Sequence, residues 1–398
     1  MIRNTLICNC KVLLLIWQHL QRRLSPAKTT FVFKDTAQQG ETAGIICCII
    51  AMILSVSCTS NSVSDNVRII NADITGKEIV SVSLSELDKI VLETTTECMV
   101  GNVKDMTRAE YGFIIASGAG RTYRLMYFGL DGHYICDIGH QGRGPNEFLD
   151  ITSIFMLNDT LNVYSFFAQS IYRYVITQNN YTPLPPIDIE ELDHGIIYMC
   201  ATPEMPNRYI VKHIWDGTPG CVTPLYGIYD KKWNIVDASD VKYPAGGYST
   251  SFPFSIVDKC VYMAFIGSDT VFKTDGNNIT PSIIYNFGQS DLPVNCKYHL
   301  VKRREYFDAH PDDSTHLFHN STLVSKNKIY AYFSSACSAL IMVYDIAERK
   351  STFYKILDES GRPVDLLYML NTPEGEVCGI FMQYAIEDNP AIYNLSSL

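Results

Sequence analysis

The chain has 398 residues, of which 47% are hydrophobic and 19% charged, so its composition is that of a globular protein and excludes an intrinsically disordered one. The formal net charge is -10 at pH 7, and the longest basic cluster, residues 302–304, is followed at once by Glu305. A nucleic-acid backbone is therefore not an expected partner. The 25 Tyr and 18 Phe residues favour strands and interfaces over helical packing.

The first long apolar run, residues 43–56, carries no charge and is shorter than the roughly 20 residues that a membrane-spanning helix needs. It ends at Ser57 and Cys58, and a polar stretch follows over residues 59–66. An apolar core, a small residue, a cysteine and a polar tether together resemble a bacterial lipoprotein signal peptide, which implies lipid attachment at Cys58. The alternatives are an uncleaved anchor, which would make the chain a transmembrane sensor, or a short core helix.

About forty residues precede this run, which is more than an ordinary signal peptide carries ahead of its apolar core. They include a second, shorter apolar run over residues 10–17. We hypothesise that the true start lies later and that residues 1–40 are an over-extended reading frame. A mature product that contains these residues would refute the hypothesis. The predicted organisation is an N-terminal extension and signal segment over residues 1–57, a tether over 58–77 and one folded domain over 78–398.

From residue 67 onward no helical periodicity is long enough to predict a helix, and short runs of β-branched and aromatic residues recur between turn clusters. Asp131 and Gly132 form a strong hairpin-turn signal between two such runs. Residues 182–186 contain three prolines and are predicted to form a loop, because proline cannot donate in a strand ladder. The main predicted strands are residues 78–84, 89–95, 100–104, 111–116, 123–127, 151–156, 161–164, 171–175, 209–215, 257–265, 269–273, 282–288, 328–333, 340–345, 377–382 and 389–395.

Strand–turn–strand units without crossover helices favour antiparallel sheets. The roughly 340 residues from Cys58 onward, divided by roughly 50 residues per kelch-sized blade, allow six or seven blades. We therefore predict an all-β fold, a β-propeller of six or seven blades, with four-stranded antiparallel sheets around a central axis; the choice of six comes from the family resemblance carried by the following residues. A β-sandwich would need two or three domains, and the sequence shows no linker between them.

The segment of residues 139–148, the Gly-rich loop, holds three glycines and one proline in ten residues and cannot continue a strand or a helix. A hairpin that leads into such a loop resembles the six-bladed β-propeller lipoproteins of Bacteroidetes, in which a G-x-G-P-G-E-[YF] loop closes an early blade. This sequence inserts Arg143 and carries Asn146 where that family usually has Gly. Residues 78–95, 265–293 and 389–395 also resemble the family. The resemblance covers residues 78–395 and implies the propeller fold and a cell-envelope location.

Two loops supply candidate ligand contacts. Arg143 lies between Gly142 and Gly144, whose backbone amides could hold an anion. The alternative is a tight turn in which Arg143 or Glu147 makes local hydrogen bonds. The aromatic residues of a Gly- and Pro-rich segment, residues 243–254, could stack on sugars or contact a protein, or pack between blades. The candidates in that segment are Tyr243, Tyr248 and Phe252.

Metal and catalytic signals are weak. His310, His316 and His319 are weak candidates for zinc ligands, and a solvated polar surface is the alternative, because metal-binding propellers draw ligands from several blades. The sequence contains no C-x-x-C, G-x-S-x-G or H-E-x-x-H motif. The isolated cysteines after residue 97 are predicted to be buried free thiols; disulfides are the alternative in an exported protein, with pairings that spacing does not determine. No catalytic residue, metal or cofactor is assigned.

These observations favour a cell-envelope lipoprotein over an enzyme. In this prediction the propeller is a binding or scaffolding module for glycans or for protein partners in nutrient uptake, held to the outer membrane by its lipid. The periplasmic face is slightly favoured, because surface export in this phylum typically uses an acidic run just after the cysteine and only Asp65 follows Cys58 here. The alternative is a propeller-type metal-dependent lactonase or lyase, since fold-level analogy does not identify a ligand.

Overall fold

The structure, a computed structural model, describes residues 67–119, 122–144, 146–189, 195–213, 224–240, 254–297, 299–382 and 390–398. These residues belong to one unit, Asn66–Leu398. The segments predicted as signal and reading-frame extension lie outside the described residues. Within the described part of the chain, no helix is both long and apolar enough to cross a membrane.

Six sheets, each with an antiparallel core of four strands, are arranged as the blades of a β-propeller, which confirms the predicted fold class. Three short strands come first: β1 (Arg68–Asn71), β2 (Ile79–Ser83) and β3 (Lys89–Val91). Blade I follows with β4 (Asn102–Ala109), β5 (Gly112–Ala119), β6 (Thr122–Gly129) and β7 (Tyr134–Asp137). Blade II has β8 (Ser153–Leu157), β9 (Thr160–Ser165), β10 (Ser170–Ile176) and β11 (Tyr181–Asp188). Blade III has β12 (Ile196–Cys200), β13 (Arg208–His213), β14 (Tyr226–Asp230) and β15 (Ile235–Ala238).

The second half of the ring repeats the pattern. Blade IV has β16 (Ser255–Val257), β17 (Cys260–Ala264), β18 (Thr270–Thr274) and β19 (Ile279–Asn286). Two helices, α1 (Val294–Lys297) and α2 (Leu300–Ala309), lead to blade V, which has β20 (Phe318–Val324), β21 (Lys328–Ser334), β22 (Ala339–Asp345) and β23 (Lys350–Leu357). Blade VI has β24 (Leu366–Asn371), β25 (Val377–Phe381) and β26 (Ala391–Asn394).

The first three strands form a strap, residues 68–91, that runs along the outer edges of the last three blades. Strand β1 pairs in parallel with β19, and β2 pairs in parallel with β23. Strand β3 pairs antiparallel with β26 and supplies the fourth strand of blade VI. The strap therefore closes the ring and covers sheet edges that would otherwise offer unpaired backbone groups. Residues 68–71 form a strand although they fall in the range predicted as a tether.

The strands form where large apolar residues run together, and aromatic and aliphatic side chains together fill the space between the blades. The packing between blades IV and V is typical: the rings of Tyr285 and Phe333 lie 5.5 Å apart and meet edge to face. The described thiols after residue 97 are free, as predicted; most are buried or half-buried, and Cys337 is exposed. The Tyr and Phe content thus reflects packing between blades.

Two predictions of secondary structure are wrong. Residues 182–186 lie within strand β11 and not in a loop, because β11 is the outer strand of blade II and pairs on one side with β10. Proline is tolerated at such an edge, and the pairing of β10 with β11 shifts its register between Ile171 and Arg173. Helix α2 was not predicted, since its sequence, LVKRREYFDA, has no apolar face with helical periodicity.

Polar side chains on the innermost strands of blades I, II and IV each join their blade to the next one. Asp105 Oδ2 accepts a hydrogen bond of 2.7 Å from the backbone N–H of Ile154 in blade II. In the same way, the hydroxyl of Ser153 accepts a hydrogen bond from a backbone N–H of blade III, and the hydroxyl of Ser255 in blade IV accepts one from a backbone N–H of blade V. These bonds bring the innermost strands together around the axis and so define the cavity described next.

Candidate functional site

A cavity of about 550 Å³, the axial cavity, lies at the carboxyl ends of the innermost strands. Five of the six blades line it, with residues from β4, β8, β12 and β24, from Phe254 and Ile256 at β16, and from the turns that follow. Ligand pockets in proteins commonly have volumes of roughly 300–1,000 Å³. The axial cavity is therefore large enough for a small molecule or for one residue of a larger ligand.

The walls of the axial cavity are mostly apolar and aromatic. Phe155, Tyr198 and Phe254 line it together with Met106 and Met156. The rings of Tyr198 and Phe254 lie 4.9 Å apart with an interplanar angle of 72°, so two blades present an ordered aromatic surface. These side chains could contact the apolar part of a ligand.

Behind this wall lies a buried network that joins four blades. Asp105 is 2% exposed and accepts hydrogen bonds from the backbone N–H groups of Met106 and Ile154 and from the hydroxyl of Tyr368. The hydroxyl of Tyr368 in turn contacts Tyr198, which lines the cavity. Burial raises the pKa of Asp105 to about 7 and raises the pKa of both tyrosines well above their ordinary value. The carboxyl group is thus fully engaged in holding blades together.

The rim of the axial cavity carries an ion pair. Arg108 Nη2 lies 3.3 Å from Glu374 Oε1, and the Arg108 side chain is only 6% exposed. The guanidinium also donates to the carbonyl of Gly112 and lies over the ring of Phe113. A second cavity of about 340 Å³, the inter-blade groove, lies between blades VI and I and shares Arg108, Thr372 and Glu374 with the first. The ion pair therefore stands where the two cavities meet.

The Gly-rich loop forms a tight turn around Glu147. The Gly144 N–H donates to Glu147 Oε2 at 2.5 Å, and His140 Nε2 lies 2.6 Å from Oε1. A Cβ atom on Gly142 would lie 2.0 Å from the Glu147 carboxylate, so the glycine is needed for this contact. Of the two interpretations left open by the sequence, the structure shows the local hydrogen bonds of Glu147. Arg143 is exposed on this loop, away from the residues that line the axial cavity, and its ligand contact stays a prediction.

Two of the weak zinc candidates lie beside one tyrosine. His310 is exposed and stacks on Tyr306 with ring centroids 4.5 Å apart. His316 Nδ1 lies 2.7 Å from Asp313 Oδ2, and the Tyr306 hydroxyl lies 3.2 Å from the same carboxylate oxygen. His316 and His319 do not share a face, since the segment between them is not helical.

The third candidate, His319, lies in the core of blade V. Its Nδ1 contacts the carbonyl oxygen of Ser268 and its Nε2 contacts Thr322 Oγ1, both at 2.7 Å. Burial lowers the pKa of His319 to about 4, so the ring is neutral at pH 7. Both ring nitrogens are occupied within the fold. In the described part of the chain, no three His, Cys, Asp or Glu side chains are grouped so as to hold a metal ion.

The other predicted sites lie outside the described residues: Cys58, Tyr243, Tyr248 and Phe252. They stay predictions. Sequence reasoning missed the axial cavity, because its lining residues are spread in short groups from Met106 to Glu374. The one local signal was the isolated Asp105 within a strand-like run, and nothing near it in the sequence reveals its partner Tyr368.

Comparisons with known proteins agree with this fold. A family model described as a domain of unknown function, DUF4934, matches residues 73–396. A structure described as an exported protein from Bacteroides fragilis is 16% identical, with a TM-score of 0.59, and the match covers 80% of this chain and 99% of the other. No curated protein sequence matches the chain.

Two lactonase structures are more distant. A protein described as a 6-phosphogluconolactonase from Bacteroides fragilis is 12% identical with a TM-score of 0.38, over 75% of this chain and 85% of the other. The periplasmic gluconolactonase of Pseudomonas aeruginosa is 12% identical with a TM-score of 0.40, over the same shares. Similarities at this level carry no argument about activity.

Proposed function

This chain belongs to the DUF4934 family, and on that premise we propose that it is a ligand-binding module of the cell envelope. The axial cavity is its binding site. The observation that carries the proposal is the cavity itself: about 550 Å³, built by five blades, with aromatic walls and a polar rim. Concave, mostly apolar sites with a few polar groups are where proteins bind small molecules.

The arrangement of polar groups supports binding in preference to hydrolysis. The carboxyl group of Asp105 lies behind the wall and is committed to three donors that hold blades I, II and VI together. The rings of Tyr198 and Phe254 could cover the apolar face of a sugar, which suits a glycan ligand or a glycan-bearing partner.

We expect that filling the axial cavity abolishes ligand binding. Thr107 lines the cavity, so Thr107→Trp would occupy the space that the ligand needs. A glycan array probed with the purified full chain identifies ligands, and calorimetry should then show at least about a tenfold loss of affinity in the variant. Glu359→Ala, at an exposed position between blades V and VI, is the control and should bind as the native chain does. Loss of binding in a Tyr248→Ala variant with normal binding in Thr107→Trp would move the site to the aromatic loop.

The proposed location rests on the apolar run that ends at Cys58 and on the shared fold of the Bacteroides fragilis protein described as exported. In this proposal a lipid on Cys58 holds the module to the outer membrane, with the periplasmic face favoured. Each buried CH₂ group of an acyl chain contributes about 0.8 kcal/mol to membrane attachment.

Lipid attachment predicts a specific labelling result. Cells grown with a labelled fatty acid should incorporate the label into the native chain, and a Cys58→Ser variant should lose both the label and the membrane fraction. A Cys337→Ser variant, which removes an exposed free thiol of the folded domain, is the matched control and should keep them. An unmodified Cys58 in the mature polypeptide would contradict the proposal.

A further inference from the structure

We propose that the ligand of the axial cavity carries a positive charge, as an ammonium or amine group attached to an apolar part. This inference rests on the proposed function and names the chemical class of the ligand. Three features of the cavity lead to it: the charges of its lining, an unused hydrogen-bond acceptor in its wall, and its aromatic and sulfur-bearing sides.

The charged groups that line the axial cavity are Arg108, Glu110 and Glu374, so carboxylates outnumber cations. Arg108 lines the cavity but is only 6% exposed, and its guanidinium pairs with Glu374 and donates to the carbonyl of Gly112. Glu374, by contrast, has a side chain that is 56% exposed, and Glu110 is also exposed. The charge that an incoming ligand meets is therefore negative.

The rim continues this pattern. Acidic residues occur in the turns that join the innermost strand to the second strand in five blades, and each lines the cavity or lies within two residues of a lining residue: Glu110, Asp159, Glu204, Asp258 and Glu374. Two lysines lie in turns of the same kind, Lys259 in that of blade IV and Lys326 in that of blade V. Together with the net charge of -10, this ring of carboxylates raises the local concentration of cations at the mouth.

Asn371 adds an acceptor that no described group uses. Its Nδ2 donates to the carbonyl of Val324 at 2.6 Å, which fixes the orientation of the amide. Its buried Oδ1, at the wall of the cavity, accepts no hydrogen bond from the described residues. A buried acceptor of this kind is normally satisfied, and a ligand N–H would satisfy it after a small movement of the wall.

The walls suit the same ligand. Phe155, Tyr198 and Phe254 present aromatic rings, whose faces attract cations, and Met106 and Met156 add polarisable sulfur. A neutral apolar ligand would use the walls but leave the carboxylates and the acceptor unused. An anionic ligand would be repelled at the rim.

Three probes of similar size and shape test the inference: 2-phenylethylamine, 2-phenylethanol and 3-phenylpropanoate. Binding to the purified full chain is measured by saturation-transfer NMR and calorimetry at pH 7. We expect the amine to bind about tenfold tighter than the alcohol, with the carboxylate weakest. Raising the salt concentration from about 0.05 to 0.5 M should weaken amine binding, because the rim is exposed to screening.

Charge-neutral variants locate the effect. Glu110→Gln and Glu374→Gln should each reduce the preference for the amine over the alcohol severalfold, and Glu374→Gln should also relieve the rejection of the carboxylate, since it frees Arg108. Glu359→Gln, an exposed residue between blades V and VI, removes the same charge elsewhere and should change nothing. Thr107→Trp should block all probes that bind.

The outcomes separate the two proposals. Equal affinity for the amine and the alcohol, both blocked by Thr107→Trp, would overturn the positive charge and leave the cavity as a binding site. Binding of the amine that Thr107→Trp does not affect would place the cation site elsewhere and overturn the inference. If none of the probes binds at millimolar concentration, the inference fails, whereas the proposed function is judged separately by the glycan array and the Thr107→Trp variant.

Discussion

Replacing Gly132 with alanine is expected to lower the free energy of unfolding by about 2–5 kcal/mol, from a left-handed backbone and a steric clash together. Gly132 has φ +84°, and a Cβ atom there would lie 2.1 Å from the carbonyl oxygen of Val91, the last residue of β3. The Gly132 carbonyl also accepts a hydrogen bond from the backbone N–H of Glu93. The substitution therefore pushes the hairpin of blade I away from the strand that closes blade VI.

A matched glycine separates the two causes. Gly375 lies between β24 and β25 with φ +89°, and a Cβ atom there meets nothing within 4 Å. Gly375→Ala should therefore cost only about 1–2 kcal/mol, the backbone part of the effect. Urea unfolding of both variants measures the difference. Equal losses would show that the contact with Val91 does not constrain the ring.

Asp105 should make the fold less stable as the pH rises from about 4 to 7. Its pKa is about 7 when folded, against an ordinary 3.8 for the unfolded chain, because burial disfavours the charged form. Within this window the folded state holds a proton that the unfolded state has released, so the free energy of unfolding falls with pH. At 1.36 kcal/mol for each pKa unit, the loss is about 4 kcal/mol, complete once the pH exceeds the folded pKa.

Differences between variants isolate this group from other titrations. Urea unfolding at pH 4, 5.5 and 8 should show a fall for the native chain that Asp105→Asn lacks. Tyr368→Phe removes a donor that lowers the Asp105 pKa, so the fall in stability should extend to higher pH in that variant. If the native chain and Asp105→Asn show parallel pH profiles, Asp105 does not titrate in this window.

Much of the fold could be predicted because its signals are local. The Asp131–Gly132 turn predicts a hairpin, and β6 and β7 do pair there, with Gly132 in the left-handed conformation. Aromatic and β-branched runs predict most strands, since each blade buries them on both faces. Strand β11 was predicted as a loop, because its prolines are tolerated only at the edge position that it occupies in the sheet. Helix α2 was not predicted, because its sequence has no apolar face.

The axial cavity could not be predicted, because its parts meet only when the ring closes. Asp105 and Tyr368 are 263 residues apart in sequence. Each of the five lining blades contributes a few residues of ordinary strand composition, and none of these groups forms a motif by itself. The histidine cluster shows the converse: His310, His316 and His319 are close in sequence, yet a strand begins between the last two and carries His319 into the core.

The strap also sets an order of events during synthesis. Its strands leave the ribosome before any blade has formed. The hydrogen bond from Ser290 to Asp73 can form only after Ser290, 217 residues later in the chain, has been synthesised. Blades I to III can pair from their own consecutive strands as the nascent chain lengthens, whereas β3 finds its partner only after residues 391–394 have emerged. Until their partner strands have been synthesised, the strands of the strap can pair with other chains, so chaperone protection matters most for residues 68–91. A chain interrupted before its last blade lacks β26, so β3 has no partner and the ring does not close.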